Sequence, residues 1–245
     1  MTLSSDLKTL YHIVWKRARG PSHASRMEDF YGRQAASYDD FRERMLRGRQ
    51  EMCDLLPTPE NGVWIEMGCG TGRNLEFLGE RIRKLRKVYL VDLSSSMLDI
   101  AKQRIARRGW TNVAAVEADA ALFQPPEGLA DMVTFSYSLT MIPPWFAALD
   151  HARSLLKPGG TIGVVDFHVS QKYPAREFKR HSLFTRSFWP FLFGIGNVFT
   201  SPDHLPYLER RFERISLFES RLKLPYVPLL RVPYYIFVGR NRECE

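Results

Sequence analysis

The chain has 245 residues, 44% of them hydrophobic, with 35 Lys and Arg against 27 Asp and Glu for a net charge of +8. That length and apolar content can bury a full α/β core in one domain. Three scattered cysteines, Cys53, Cys69 and Cys244, lack the number and spacing of a disulfide framework or a zinc site and point to a reducing cytosol.

No apolar run approaches the roughly twenty residues of a membrane-spanning helix, and the N-terminus lacks a secretory apolar stretch, so the chain is expected to be soluble or to sit on a surface. Charge is unevenly placed: 10 basic and 6 acidic residues in 1–50, 12 and 14 in 51–167, 13 and 7 in 168–245. A slightly acidic centre with basic flanks suits an anionic partner, either nucleic acid or lipid headgroups, and equally suits a well-solvated surface.

The first predicted element is a helix over 3–19, ended by Gly20-Pro21, with Leu3, Leu7, Leu10, Tyr11 and Val14 on one face and Lys8, His12, Lys16 and Arg19 on the other. It can lie in a membrane interface or pack on the parent domain. Tyr31 and Tyr38 follow, seven residues apart and on one face if helical, before an arginine-rich helix from Phe41 to Leu56 that ends at Pro57. The tyrosines are either core or the rings and hydroxyls that hold an amine and its cationic product.

Val63, Trp64 and Ile65 read as a buried strand running into Glu66-Met67-Gly68-Cys69-Gly70-Thr71-Gly72, where glycines at alternate positions let backbone lie against a ligand. A helix from about Arg73 through Glu80 would then point its amide groups at that ligand. The second strand, Val88–Val91, ends in Asp92, placed as nucleotide-binding α/β folds place a ribose acceptor. The third, Val113–Val116, leads to Asp119, a second acceptor suited to an adenine amino group. A pyrophosphate site wants Gly-x-Gly-x-x-Gly, whereas this loop is Gly-x-Gly-x-Gly behind an acid, and Glu66 is a better neighbour for a cation.

Asp131–Leu139 reads as a fourth strand whose end, Ser136-Tyr137-Ser138, opens beside the ligand. Pro143-Pro144-Trp145 follows, but Ile142 stands where nucleic-acid amino methyltransferases carry a polar residue, so the prolines read as a helix start, with that helix running to Leu156. Lys157-Pro158-Gly159-Gly160 turns into a fifth strand, Thr161–Phe167. Beyond it, His168 either accepts a proton from an amine or caps the strand. Residues 183–199 hold Phe184, Phe188, Trp189, Phe191, Phe193 and Phe199, broken by Pro190, Gly194 and Gly196, with a period of neither 2 nor 3.6. Flanked by Lys172, Arg176, Lys179, Arg180 and Arg186, this stretch is a lid or interfacial loop, or else a buried connection.

The pattern hydrophobic-acid-x-Gly-x-Gly-x-Gly, with Asp92, Asp119 and Lys157-Pro158-Gly159-Gly160, resembles the class I S-adenosylmethionine (SAM) dependent methyltransferases. The resemblance implies a Rossmann-like α/β fold, a seven-stranded mostly parallel sheet with helices on both faces, and SAM as cofactor with no metal. As cofactor contacts it implies Tyr31, Glu66, Gly68, Cys69, Gly70, Gly72, Asp92, Leu93, Met97, Asp119, Ala120 and Ser136. It divides the chain into cofactor-covering helices over 1–56, a SAM-binding core over 57–167, and a substrate or membrane insertion with the last two strands over 168–245, all in one domain.

The tail, Thr200–Leu208, Phe212–Leu224 and Leu230–Gly239, is similar to the bacterial betaine-lipid N-methyltransferases. That likeness implies last strands antiparallel to each other, joined by residues 225–228, and stepwise methylation of the amine of diacylglyceryl-homoserine. It further implies an anionic membrane surface and the 3-amino-3-carboxypropyl transferase of the same pathway as partners, no nucleic acid, and a cytoplasmic, peripheral place on the inner membrane. Tyr31, Tyr38, Ser136, Tyr137 and His168 are the expected catalytic residues, and Arg33 and Lys172 the expected holders of the headgroup carboxylate. Rival readings are methylation of phosphatidylethanolamine or another aminolipid, methylation of a soluble quinone or metabolite, and a non-catalytic module that binds RNA.

Overall fold

Runs of Val, Ile, Leu and Met bounded by turn residues become the strands of one sheet in a computed structural model that describes Pro21, Ser25, Glu28 and residues 45–242 apart from 225 and 226. The strands are β1 (Val63–Met67), β2 (Lys87–Asp92), β3 (Val113–Glu117), β4 (Ala130–Ser136), β5 (Leu156–Phe167), β6 (Phe212–Leu224) and β7 (Val227–Asn241), ordered β3-β2-β1-β4-β5-β7-β6. The first five are parallel, and β7 runs antiparallel between β5 and β6. This is the seven-stranded, mostly parallel Rossmann-like sheet that the motifs imply. The helix expected over 3–19 and the segment carrying Tyr31, Arg33 and Tyr38 lie outside the described residues.

Strand alternation sends neighbouring side chains to opposite faces, so Trp64 and Ile65 belong to different cores. Helices α1 (Arg49–Leu55), α2 (Leu75–Leu78), α3 (Ser95–Arg108) and α5 (Leu183–Ile195) cover the Trp64 face, while α4 (Trp145–Leu155) and α6 (His204–Arg211) cover the Ile65 face. All five residues of β1 are buried, as a strand covered by helices on both faces must be. Among the described residues no helix is long and apolar enough to cross a membrane.

Three elements differ from the sequence reading. The helix after the glycine loop is one turn, α2, followed by a 3₁₀ turn at Gly79–Lys84, so its dipole is small. β4 stops at Ser136 because Tyr137 takes a left-handed φ of 53°. The aromatic stretch is not an irregular loop but helix α5: Ser182 Oγ accepts from Thr185 N at 3.2 Å, and Thr185, Trp189 and Phe193, four apart, bury one stripe despite Pro190. Aromatics on the outward face had hidden that stripe.

His168 requires a correction. It points to the Ile65 side with Asp166 and Tyr235, 3% exposed, its ring 5.3 Å from Tyr235 and 5.1 Å from His181, and Nε2 is 3.5 Å from Glu219 Oε1. Burial and two neighbouring histidines push its pKa down to about 3, so the neutral ring is too weak a base, and too deeply buried, for the expected amine-base role. Burial alone pushes His204 to about 3, and burial with Arg221 and Lys179 pushes His181 to about 4.

These histidines fold neutral, whereas the unfolded chain protonates them near 6.5, so their stabilisation is present above about pH 6.5 and is lost as pH falls toward 3. Asp166 works in the opposite direction. Burial raises it to about 7 against hydrogen bonds from Thr140 and Phe167, so its contribution grows as pH falls from 7. Burial raises Glu219 and Glu209 as well, so three carboxylates oppose the three histidines, and the slope of stability against pH between about 7 and 5, read by urea unfolding, is their difference. His204→Leu, which removes a ring with no hydrogen-bond partner at either nitrogen among the described residues, should lower that slope by about one proton; an unchanged slope contradicts this account.

Candidate cofactor site

Strand order reverses between β1 and β4, so a crevice opens beyond their C-terminal ends. The turns leaving four strands line it: Gly68 and Gly70 after β1, Asp92 and Leu93 at β2, Ala118, Asp119 and Ala120 after β3, and Tyr137 and Ser138 after β4. Val91, Met97 of α3, and Met141, Ile142 and Pro144 complete the cleft.

Gly68 (φ 69°) is required where β1 meets β4, because a Cβ there would lie 2.4 Å from the Ser138 Cβ. Ser138 Oγ donates to Met67 O at 2.8 Å, tying the two strand ends together. Gly68 N and Cys69 N both donate to Val91 O, at 2.8 and 3.0 Å. The Asp92 carboxylate then holds the loop from the other side, Oδ2 accepting from Gly70 N at 2.7 Å and Oδ1 from Ser94 N at 3.0 Å. A carboxylate has about four lone-pair sites, so Asp92 can fix the loop and still accept from ribose hydroxyls. Asp119 Oδ1 accepts from Ala121 N at 2.8 Å, which orients its carboxylate at the rim, where an adenine amino group would donate.

The donor and acceptor set fits SAM. Leu93, Met97, Ala120 and Ile142 supply an apolar slot for a planar base. Two carboxylates with no cationic side chain in the described lining repel a pyrophosphate and favour a nucleoside joined to a sulfonium.

Behind the cleft lies a buried polar chain that sequence reading missed. Glu66 Oε1 accepts from Asn74 Nδ2, Arg49 Nη1 donates to Asn74 Oδ1 at 3.5 Å, and Arg49 Nε donates to Leu46 O at 3.1 Å. This chain fastens residues 46–49 to the glycine loop. Tyr137 fastens the same residues to β4: its hydroxyl donates to Arg47 O at 2.6 Å while its ring lines the cleft. Gly48, at φ 87°, makes the crossing possible and stops the expected helix from Phe41, since a Cβ there would meet Tyr234 Cε2 at 2.7 Å.

The structure therefore gathers Gly68, Gly70, Asp92, Leu93, Met97, Asp119, Ala120 and Tyr137 into one cleft. Glu66, Cys69, Gly72 and Ser136 stand behind the lining: Glu66 on Asn74, Gly72 against Leu90 and Ala101, Cys69 and Ser136 buried. Lys172 lies beside Tyr173, outside the cleft. Among the described residues no cluster suited to a metal occurs. Ser138 lines the cleft as the strand-end reading expected, whereas Met141, Ile142 and Pro144 were not anticipated; the Pro143-Pro144 pair just past β4 was the available signal.

Asp92→Ala removes a loop anchor and a ribose acceptor together, so calorimetric titration should show SAM affinity falling by about ten- to a hundredfold, the scale of a lost charge-assisted hydrogen bond. Tyr137→Phe, which loses one hydroxyl bond and keeps the ring, should cost about tenfold or less. Equal affinity in Asp92→Ala and wild type contradicts the assignment.

Residues 65–160 match a family model described as methyltransferase domain. The chain is 27% identical over 117 residues to the demethylmenaquinone methyltransferase of Geobacillus stearothermophilus, which spans 48% of this chain and 50% of the relative; it covers about half the length of the Geobacillus relatives it matches. It is 24% identical over 204 residues to the 2-phytyl-1,4-naphtoquinone methyltransferase of Nostoc punctiforme, spanning 81% and 86%. Among solved structures it is similar to the N-methyltransferase NodS from Bradyrhizobium japonicum in complex with S-adenosyl-L-homocysteine, with a TM-score of 0.63, 17% identity, and 88% and 98% of the two chains covered. Glycine turn, strand order and domain match agree: residues 65–160 match a methyltransferase domain, set in a Rossmann-like sheet.

Proposed function

We propose that this protein transfers methyl groups from SAM to an amine nitrogen carried by a membrane lipid, the homoserine amine of diacylglyceryl-homoserine, in up to three steps that end in the trimethylated betaine. The observation that carries the lipid reading is a continuous aromatic path. Tyr137 of the cleft packs on Phe167 at 4.6 Å, Phe167 on Phe193 at 4.9 Å, and Phe193 on Trp189 at 5.3 Å, so packed rings connect the cleft lining to the inner face of α5. The tail motifs favour the betaine-lipid acceptor, and the similarity to an N-methyltransferase is compatible with it.

SAM supplies a methyl group already activated by its sulfonium, so the protein's task is alignment. Asp92 and Asp119 fix the nucleoside, and the Ser138–Gly68 contact fixes the turn between them. Tyr137, which lines the cleft, offers a π-face to a nitrogen that gains positive charge as it gains methyl groups. An amine attacks with its own lone pair; the first and second transfers each leave an N–H cation whose proton goes to solvent, and the third forms the quaternary ammonium with no proton to lose, so no residue need take the role first given to His168. Tyr31 and Tyr38 would orient the nitrogen, and Arg33 would hold the substrate carboxylate. The upstream 3-amino-3-carboxypropyl transferase would supply the lipid at the cytoplasmic face of the inner membrane.

A second reading is C-methylation of a prenylated quinone, which the curated relatives favour. Both acceptors are lipid-borne. Purified protein incubated with labelled SAM and detergent-dispersed lipids decides between them by mass spectrometry. Successive shifts of one, two and three methyls on diacylglyceryl-homoserine are the expected result. A shift on phosphatidylethanolamine or a demethylated quinone, with none on the homoserine lipid, replaces the proposed acceptor.

A further inference from the structure

Helix α5 is apolar on both sides. Its inner stripe, Thr185, Trp189 and Phe193, is buried against Phe167 and the sheet. Half a turn away, where a surface helix ordinarily carries charge, stand Leu183, 72% exposed, Phe184, 60%, and Phe191, 72%. Arg186 is the one charged residue within the helix. The segment entering α5 is strongly basic: Lys172, Arg176, Lys179 and Arg180 against Glu177. Lys179 is tied to the fold, Nζ donating to Glu219 O at 2.5 Å. Lys172 and Arg180 instead flank the exposed ring of Tyr173, at 5.2 and 5.8 Å from its centre, and Arg176 is exposed.

We infer that α5 and the exposed basic residues of 172–180 form one docking surface for an anionic lipid bilayer, with α5 lying in the membrane interface. Leu183, Phe184 and Phe191 enter the boundary between headgroups and acyl chains, and Lys172, Arg176 and Arg180 lie on the anionic headgroups. Charge complementarity selects this occupant. A protein partner or a second copy could cover the aromatics, but the basic cluster beside them, in a flank with 13 basic and 7 acidic residues, matches a surface of one negative sign. The inference rests on the reading of the acceptor as lipid-borne, and it explains how such an acceptor reaches the cleft. The run of packed rings from Trp189 through Phe193 and Phe167 to Tyr137 connects the buried stripe of α5, the side opposite the docked face, to the cleft lining. Beyond α5, Phe199, also exposed, donates its N–H to Thr140 O at 2.7 Å, on the loop leading to Met141 at the rim.

Vesicle flotation tests the docking surface separately from the chemistry. Full-length protein should float with phosphatidylglycerol vesicles, should not float with phosphatidylcholine vesicles, and should be released by high salt. Phe184→Ser/Phe191→Ser and Arg176→Glu/Arg180→Glu should each weaken flotation by about tenfold or more, while SAM affinity by calorimetry and turnover of detergent-dispersed acceptor stay at wild-type values. Failure of the wild type to float on phosphatidylglycerol, or flotation of both variants equal to that of the wild type, overturns the inference. A wild-type dimer that the Phe184→Ser/Phe191→Ser variant converts to a monomer also overturns it, by making this face an interface between copies. Intact flotation with no methyl transfer to any lipid would instead remove the functional reading and leave the docking surface standing.

Discussion

The contact on which the site depends is the one between Gly68 and Ser138. Strands β1 and β4 are neighbours in the sheet, yet the chain reaches them from opposite directions of the strand order, so their ends must part to admit a ligand and still be held in register. A side chain at Gly68 would occupy the space of the Ser138 Cβ, and the Ser138 hydroxyl closes the gap by donating to the last carbonyl of β1. With that point fixed, the next amides fall on Val91 O and the Asp92 carboxylate. Asp92 is thus structural and functional at once: the hydrogen bond that shapes the loop also sets where its remaining lone pairs point.

That arrangement was legible because it is local. Glycines at alternate positions, an acid at the end of the next strand and another after the third are signals carried by short stretches, and parallel strands covered on both faces announce themselves as apolar runs. The roles of Glu66 and His168 were not legible, although period-two alternation contained the clue. Glu66 shares a strand face with Trp64, the face covered by α1, so its carboxylate meets Asn74 in a chain that ends at Arg49 instead of entering the cleft. Likewise His168 shares a face with Asp166, on the far side of β5 from the Phe167 ring that packs on Tyr137. Arg49 itself gave no signal, since a buried arginine reads in sequence as one more charge in an arginine-rich helix.

Helix α5 was misread for a different physical reason. Periodicity detects a helix only where its two sides differ, and here both are apolar. The cap at Ser182 and the four-residue spacing of Thr185, Trp189 and Phe193 carry the helix, while Leu183, Phe184 and Phe191 erase the contrast that would reveal it. The feature that defeats the sequence reading is thus the same feature that sets this helix apart from ordinary surface helices.

Charge gives the two sides of the molecule different tasks. The cleft lining holds Asp92 and Asp119 and no described cation, which suits a sulfonium and a nitrogen becoming a quaternary ammonium. The basic excess lies in the flanks, outside the slightly acidic middle of the chain. Electrostatic forces between exposed groups are screened over about 8–10 Å at physiological salt, so an anionic surface attracts the molecule through whichever face it approaches. In the proposed docking, Lys172, Arg176 and Arg180 would orient the protein because they lie on the segment that leads into α5, the helix that carries the exposed apolar face. Were those charges spread evenly, the same net +8 would hold the molecule to a membrane without directing its cleft toward the lipid it is proposed to methylate.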